Sequence, residues 1–164
     1  MIKYILCILI TLTNFTTSSA QCNVKKNQRD DGTTIYYTRP DRIGYCDKFF
    51  LGLSMQTDGT NYYLCAVCIF QSNPQNLKDK LTLFFNNNKS STLQYYKSEE
   101  TTMQNMPAVL NIFKLDANAL NNISNSTLKM VMGRLNSGLI QDVPIMFNAN
   151  KLQLDYSCLK SNLY

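Results

Sequence analysis

Residues 49–71, FFLGLSMQ-TDGT-NYYLCAVCIFQ, decide the fold of this chain. The Asp58-Gly59 dipeptide lies between two apolar runs, and this combination is the strongest short-range indication of a β-hairpin. The second run, residues 62–70, has no polar break, which indicates a strand that is covered on both faces. The sequence therefore predicts an antiparallel sheet with this strand near its centre.

The turn also predicts a register for the hairpin. If Asp58 and Gly59 alone form the loop, Gly52 lies opposite Cys65. Successive strand residues alternate between the two faces, so Cys65 and Cys68, three positions apart, point to opposite sides of the sheet. We therefore expect that these two cysteines do not bridge each other.

Other runs of β-branched, aromatic or alternating apolar residues extend the sheet. They predict strands at residues 33–38, 81–85, 92–96, 109–115, 143–147 and 152–158. The runs at 81–85 and 92–96 flank an Asn-rich loop and indicate a second hairpin.

One segment has helical spacing. Apolar residues recur at i, i+3, i+4 and i+7 in Leu128, Val131, Met132 and Leu135, and Gly138 follows as a stop signal. This predicts one main helix over about 126–137, with a shorter turn capped by Asp116 before it. The expected fold class is α+β, a mainly antiparallel sheet built from hairpins with this helix packed on it, and a β-sandwich is the alternative.

The first twenty residues have the composition of a secretory signal peptide. Lys3 precedes a short apolar run at residues 4–10, and small residues close the segment at 18–20. The apolar run is shorter than the ~20 residues that cross a bilayer. We expect residues 1–20 to be a signal peptide and residues 21–164 to be a single secreted, extracellular domain.

Secretion gives meaning to the remaining cysteines, which are Cys22, Cys46, Cys65, Cys68 and Cys158. Five is an odd number, so at most two intrachain disulfides form, and the fifth cysteine is a buried thiol, a reactive group or the link of a disulfide-bonded dimer. We expect Cys22 to pair with Cys46, and Cys158 to pair with Cys65 or Cys68. Secretion likewise makes Asn88, Asn122 and Asn125 candidate glycosylation sites, because each begins an Asn-x-Ser/Thr triplet.

Composition excludes several chemistries. The chain has no His, which removes Ser-His and Cys-His nucleophile pairs and His-ligated metals. No calcium loop, phosphate loop or dinucleotide motif occurs, so we expect no metal and no cofactor. The formal net charge of +5 includes a small basic cluster at Lys25, Lys26 and Arg29 that lacks interleaved aromatics, and we expect no nucleic-acid partner.

The remaining catalytic motifs are weak in their context. Cys65-x-x-Cys68 has redox spacing but lies in an apolar strand, where the thiols are buried. Ser126-x-x-Lys129 has the spacing of an acyl-enzyme pair but lacks its usual partner motifs. Neighbouring Glu99 and Glu100 cannot both face one substrate on a regular strand.

We therefore expect a non-catalytic binding protein that acts on an extracellular protein, as in saliva, venom or seminal fluid. Three tyrosine pairs each place one ring on either face of a strand: Tyr36-Tyr37, Tyr62-Tyr63 and Tyr95-Tyr96. One ring of each pair is expected to join the core, and the other to face solvent or a partner, since tyrosine is enriched in binding surfaces. Cross-strand packing alone also explains such pairs and is the favoured interpretation. The first alternative is a carrier that encloses a small apolar ligand between sheet and helix. The second is a His-free hydrolase that uses Lys129, Glu99 or Glu100.

Overall fold

A computed structural model describes residues 22–163, so the predicted signal peptide lies outside the described residues. The elements, in chain order, are β1 (Lys25–Gln28), β2 (Thr34–Tyr37), β3 (Asp41–Tyr45), β4 (Phe49–Thr57), β5 (Tyr62–Phe70), β6 (Leu77–Phe85), β7 (Ser90–Met103), β8 (Met106–Leu115), α1 (Ala117–Asn125), β9 (Leu128–Leu135), β10 (Ile140–Pro144) and α2 (Lys151–Leu163). Neither helix is long and apolar enough to cross a bilayer.

The described strands form one antiparallel sheet in the order β1-β2-β4-β5-β8-β7-β6-β9-β10. β5 occupies one edge of β4 along its whole length, so β2 and β3 share the other edge, one after the other. The predicted β-rich α+β class is confirmed, but the strands of the alternative sandwich would have formed two sheets. The predicted central position of β5 is also confirmed, because β4 and β8 flank it.

One apolar core lies on the inner face of this curved sheet. It combines inward side chains from β3 to β10 with residues of both helices, and its largest fully buried members include Phe85, Phe113, Ile43, Leu53 and Met55. Ala119 and Ile123 of α1 and Leu152 and Leu159 of α2 belong to the same core and are at most 2% exposed. The helices are therefore packed directly on the sheet.

The central hairpin exists, but the predicted register is wrong by two residues. Thr57 pairs with Tyr62, and Ser54, not Gly52, lies opposite Cys65. The loop has four residues because the Asp58 carboxylate accepts hydrogen bonds from the backbone N–H groups of Thr60 (2.9 Å) and Asn61 (2.6 Å). A shift of two keeps every side chain on its predicted face.

The segment predicted as the main helix, about 126–137, is strand β9, and this prediction is wrong. Val131, Gly133 and Leu135 alternate inward as in any strand, but Gly133 has no side chain to reveal the pattern. A register irregularity where Phe84 and Phe85 meet β9 also turns Leu128 inward, which produces the misleading spacing of three.

The predicted strand at 152–158 is part of helix α2, and this prediction is wrong too. Apolar residues alternate in the sequence, but the helix buries Leu152, Asp155 and Leu159, at i, i+3 and i+7. The buried position held by an acid hides the helical period. By contrast, the Asp116 cap is confirmed: its carboxylate accepts from Ala119 N at 2.7 Å and begins α1.

An ion-pair cluster and a disulfide tie α2 to the rest of the fold. Lys151 Nζ lies 2.7 Å from Asp155 Oδ1 and 3.2 Å from Asp41 Oδ2, which joins the helix to β3. A disulfide joins Cys158 to Cys22, which precedes β1. The expected pairs Cys22–Cys46 and Cys158 with Cys65 or Cys68 are therefore wrong. The pairing of Cys158 with Cys65 or Cys68 places Cys158 on a strand of the sheet, whereas it lies on α2.

The sheet closes on itself where β3 meets the end of β10. The backbone N–H groups of Met146 and Phe147 both donate to the carbonyl oxygen of Ile43, at 2.8 and 3.1 Å. A Cβ atom added to Gly44 would overlap the carbonyl oxygen of Pro144 and lie 3.1 Å from Val143 Cγ1. Only glycine permits this approach.

We predict that Asp58→Ala destabilises the protein by about 1 kcal/mol. Burial acts to raise the pKa of Asp58, but the N–H groups of Asn61 and Thr60 outweigh it and hold that pKa below its usual value. The variant leaves both N–H groups without this acceptor. Urea denaturation measures the effect, and Thr60→Ala, which keeps the backbone donors, is the control. Equal stabilities for the two variants would contradict this account of the loop.

We predict that Asp155 makes stability fall as pH rises. Burial raises the pKa of its carboxyl, although Lys151 donates a hydrogen bond that acts in the opposite direction. Above the ordinary Asp pKa of about 3.9, the folded state therefore binds more protons than the unfolded state. The free energy of unfolding of the wild type, minus that of Asp155→Asn, should decrease between about pH 3 and pH 6. A difference that stays constant or grows with pH would contradict the prediction.

Candidate functional site

The Cys65-x-x-Cys68 motif does not assemble a redox pair. Cys68 faces the inner core and Cys65 the outer face, so the two thiols lie on opposite sides of β5. Both are buried and form no disulfide, and the half-buried Cys46 forms none either. Burial raises the pKa of Cys65 to about 12 and raises the pKa of Cys68 as well. Neither buried thiol is an activated nucleophile.

The other catalytic motifs are dispersed as well. Ser126 is the extended C-cap that follows α1, and Lys129 lies on strand β9, so their spacing does not correspond to one helical turn. Glu99 and Glu100 are exposed neighbours on β7, and Glu99 forms an ion pair with Lys97. Within residues 22–163, no three His, Cys, Asp or Glu side chains lie close enough together to hold a metal ion.

The three candidate glycosylation sites lie in different surroundings. Asn88 is exposed in the turn between β6 and β7, and Asn125 is exposed at the end of α1. Asn122 is only 3% exposed, and its amide nitrogen donates to Ser91 Oγ at 2.9 Å. A glycan on Asn122 would require this side chain to leave the interior, so Asn88 and Asn125 stay the accessible candidates.

The tyrosine pairs divide between the two faces of the sheet. Tyr36 and Tyr62 pack against the core, and Tyr62 contacts the Tyr156 ring of α2 with centroids 5.3 Å apart. On the outer face, Tyr63 and Tyr96 lie 5.3 Å apart. The outer face of the sheet is therefore partly aromatic.

An outer groove crosses this face from β2 and β3 to the β7–β8 hairpin. It consists of two adjoining clefts of about 280 and 250 Å³ that share Pro40, Val67 and Met103. Its floor consists largely of small or apolar residues, namely Gly52, Ser54, Cys65, Val67, Ile69 and Leu110. The floor of the groove lies close to the backbone of β4, because Gly52 has no side chain and Ser54 has a small one. Gln56, Thr101 and Gln104 supply polar groups along its length.

One end of the groove is bordered by a cationic and aromatic cluster, the Arg42 patch, formed by Arg42, Tyr45, Phe50 and Phe147. The guanidinium carbon of Arg42 lies 4.3 Å from the centroid of Phe50 and 5.6 Å from those of Tyr45 and Phe147. Tyr45 and Phe50 also contact each other edge to face, with centroids 6.0 Å apart. Tyr45 is 43% and Phe147 is 47% exposed, so the patch faces solvent.

The closure of the sheet brings the members of this patch together. Arg42, Tyr45 and Phe50 lie on the paired strands β3 and β4, whereas Phe147 follows β10. The hydrogen bond from Phe147 N to Ile43 O brings Phe147 beside Arg42, and Asn148 Nδ2 donates to the Arg42 carbonyl at 3.4 Å.

The guanidinium group of Arg42 is available to a binding partner, because it forms no ion pair with the described residues. No acidic side chain among the described residues lies within 4.0 Å of its guanidinium group. The three rings hold the planar group by cation–π attraction, which leaves its N–H donors free of an ion pair. Such a group can receive a carboxylate or a carbonyl group from a partner.

Sequence reasoning did not identify the Arg42 patch. The tyrosine pairs indicated aromatic surfaces, but Arg42 and Phe147 are distant in the chain and neither belongs to a motif. The local signal is the pair of large apolar residues Met146 and Phe147 shortly after Pro144, and the structure leaves both exposed.

Comparisons with known proteins identify no relative that bears on this site. The chain matches no protein-family model, and neither the curated proteins nor the solved structures compared with it gave a match.

Proposed function

We propose that this chain is a secreted, non-catalytic protein that binds an extracellular protein partner through the Arg42 patch and the adjoining outer groove. The observation that carries the proposal is the geometry of Arg42, an exposed guanidinium held against three rings, with no carboxylate of the described residues within 4.0 Å. Arginine and tyrosine are among the residues that contribute most to protein–protein affinity.

Preorganisation favours the patch as a centre of binding energy. The Arg42 side chain is already ordered by Phe50, Tyr45 and Phe147, so a partner does not have to immobilise it. When a partner covers exposed apolar rings, the removal of this surface from water stabilises the complex by roughly 25 cal/mol per Å². A carboxylate of the partner would form an ion pair with the Arg42 guanidinium group and neutralise its charge.

The outer groove supports a protein partner over a compact ligand. Its two adjoining clefts run across several strands, and Arg42 and Phe50 line the cleft nearer the patch. An extended peptide segment of the partner fits such an elongated, mainly apolar channel. The polar groups of Gln56, Thr101 and Gln104 are available to its backbone.

The extracellular part of the proposal has separate support. The disulfide between Cys22 and Cys158 is compatible with an oxidising compartment. The buried thiols and dispersed acids favour a non-catalytic role over the hydrolase alternative.

A competition cross-linking experiment tests the proposal. A photoreactive benzoylphenylalanine replaces Phe147 in one sample and Leu154, an exposed residue of α2, in another. Both proteins are irradiated in the extracellular fluid of the source tissue. We predict a discrete protein adduct with the probe at 147 and no such adduct with the probe at 154.

Competitor variants make the outcome specific to the patch. Excess unlabelled wild type and Arg39→Ala, an exposed arginine outside the patch, should suppress the adduct. Arg42→Ala should need about 30-fold more protein for the same suppression, as expected for a hot-spot residue. Circular dichroism verifies that both variants are folded. No adduct, or equal competition by the two variants, would overturn the proposal.

A further inference from the structure

A further cleft lies on the outer face between β6, β7, β9 and β10, and it shares no lining residue with the outer groove or the Arg42 patch. It has a volume of about 370 Å³. We call it the cationic cleft, and its lining residues are Lys78, Asp79, Lys80, Thr82, Thr92, Met132, Gly133, Arg134 and Ile140. The volume lies within the range of small-molecule sites, about 300–1,000 Å³.

A bulge in β6 forms one wall of the cleft. Lys78 pairs with Arg134, yet the next β6 residue that pairs with β9 is Leu81, opposite Gly133. Asp79 and Lys80 are therefore extra residues, and Asp79 has a φ of 63°, in the left-handed region. For a residue other than glycine, this conformation costs of order 1–3 kcal/mol, and such positions cluster at functional sites.

The core beneath the bulge explains how the fold tolerates it. Leu77 and Leu81, on either side of the bulge, are both buried, and both reach over Gly133. A Cβ atom at Gly133 would lie 3.0 Å from a methyl group of Leu77 and 3.1 Å from one of Leu81. Gly133 thus lets both leucines turn inward while three successive charged residues, 78–80, stay exposed.

The charges of the cleft are not balanced. Lys78, Lys80 and Arg134 line it together with one acid, Asp79. Within residues 22–163, none of these three cations lies within 4.0 Å of a carboxylate oxygen. Convergent cations without acidic partners raise the local positive potential and attract an anion.

The lining of the cleft also includes an apolar side. Met132 is half-buried on β9, and Ile140 of β10, which pairs with Arg134, is 54% exposed. The preceding Leu139 is exposed as well. An inorganic anion would leave this apolar surface in water, whereas a ligand with an apolar body would cover it.

We propose that the cationic cleft binds an amphipathic organic anion, with a carboxylate or sulfate head group and an aliphatic body. Arg134 pairs with the head group, because a planar guanidinium matches two oxygens of such an anion. Lys78 and Lys80 supply additional positive charge. Met132 and Ile140 contact the aliphatic body. This ligand site is independent of the proposed protein-binding patch.

Titration with decanoate below its micelle concentration tests this inference. The methyl resonances of Met132 and Ile140 are followed by NMR in protein labelled at methyl carbons. Decanol and acetate are titrated in parallel, because decanol lacks the charge and acetate lacks the chain. We expect saturable shifts at both methyl groups with decanoate, and binding at least 10-fold weaker with decanol or acetate.

Variants distinguish this site from nonspecific attraction to a basic protein. Arg134→Gln should weaken decanoate binding about 10-fold, whereas the double variant Lys25→Gln, Lys26→Gln, which removes two charges from β1, should bind as the wild type does. Equal binding of decanol would overturn the assignment of the charged head. Binding that is unchanged in Arg134→Gln, or shifts confined to Met146 beside the Arg42 patch, would overturn the site. Displacement of decanoate by heparin, with heparin the tighter ligand, would replace the small anion with a sulfated polysaccharide.

Discussion

The close approach of β3 and the end of β10 at Gly44 is the constraint on which the rest of the structure depends. The carbonyl oxygen of Pro144 occupies the space where a side chain at this position would lie, so any other residue would force the two segments apart. The hydrogen bonds from the backbone N–H groups of Met146 and Phe147 to the carbonyl oxygen of Ile43 hold the two segments together. Without this contact, the sheet would be an open curved layer, and the inner core would lose its cover on one side. We call this contact between β3 and the end of β10 the seam. Ile43 and Val143, which flank it, are both at most 2% exposed, so the seam is closed to solvent.

The same closure links the fold to the surfaces with which we associate function. It brings Phe147 to Arg42, although the two residues come from distant parts of the chain. The inner face is filled by aliphatic and aromatic side chains from strands and helices, so the features available to partners lie on the outer face. There, glycine and other small residues of β4 lower the sheet surface into a groove, and a two-residue bulge in β6 opens the cationic cleft. Both recesses therefore arise from local departures from regular strand geometry.

Local signals in the sequence predicted a large part of this fold. The hairpin around Asp58-Gly59, the doubly covered strand β5 and the Asp116 cap each depend on neighbouring residues, and all three exist, although the hairpin loop has four residues instead of two. The wrong predictions fall on segments in which the residue type at one buried position hides the true period of the apolar residues. Gly133 hides the alternation of β9, and the buried acid Asp155 hides the helical period of α2. A strand over 152–158 places Cys158 in the sheet, and this prediction hides its disulfide with Cys22, which forms because Cys158 lies on α2. The Arg42 patch depends on the closure of the sheet, which no local pattern encodes.

Hydrogen exchange at the seam tests this central constraint most directly. The variant Gly44→Ala is compared with Gly52→Ala, because a Cβ at Gly52 would meet its nearest atom, Asp41 O, at an ordinary 3.4 Å. If the seam holds the sheet closed, the amide protons of Met146 and Phe147 exchange at least 10-fold faster in Gly44→Ala than in the wild type, while Gly52→Ala retains the wild-type protection. Unchanged protection of both amides in a folded Gly44→Ala protein would contradict the account, since the close approach at Gly44 would then not be needed for closure.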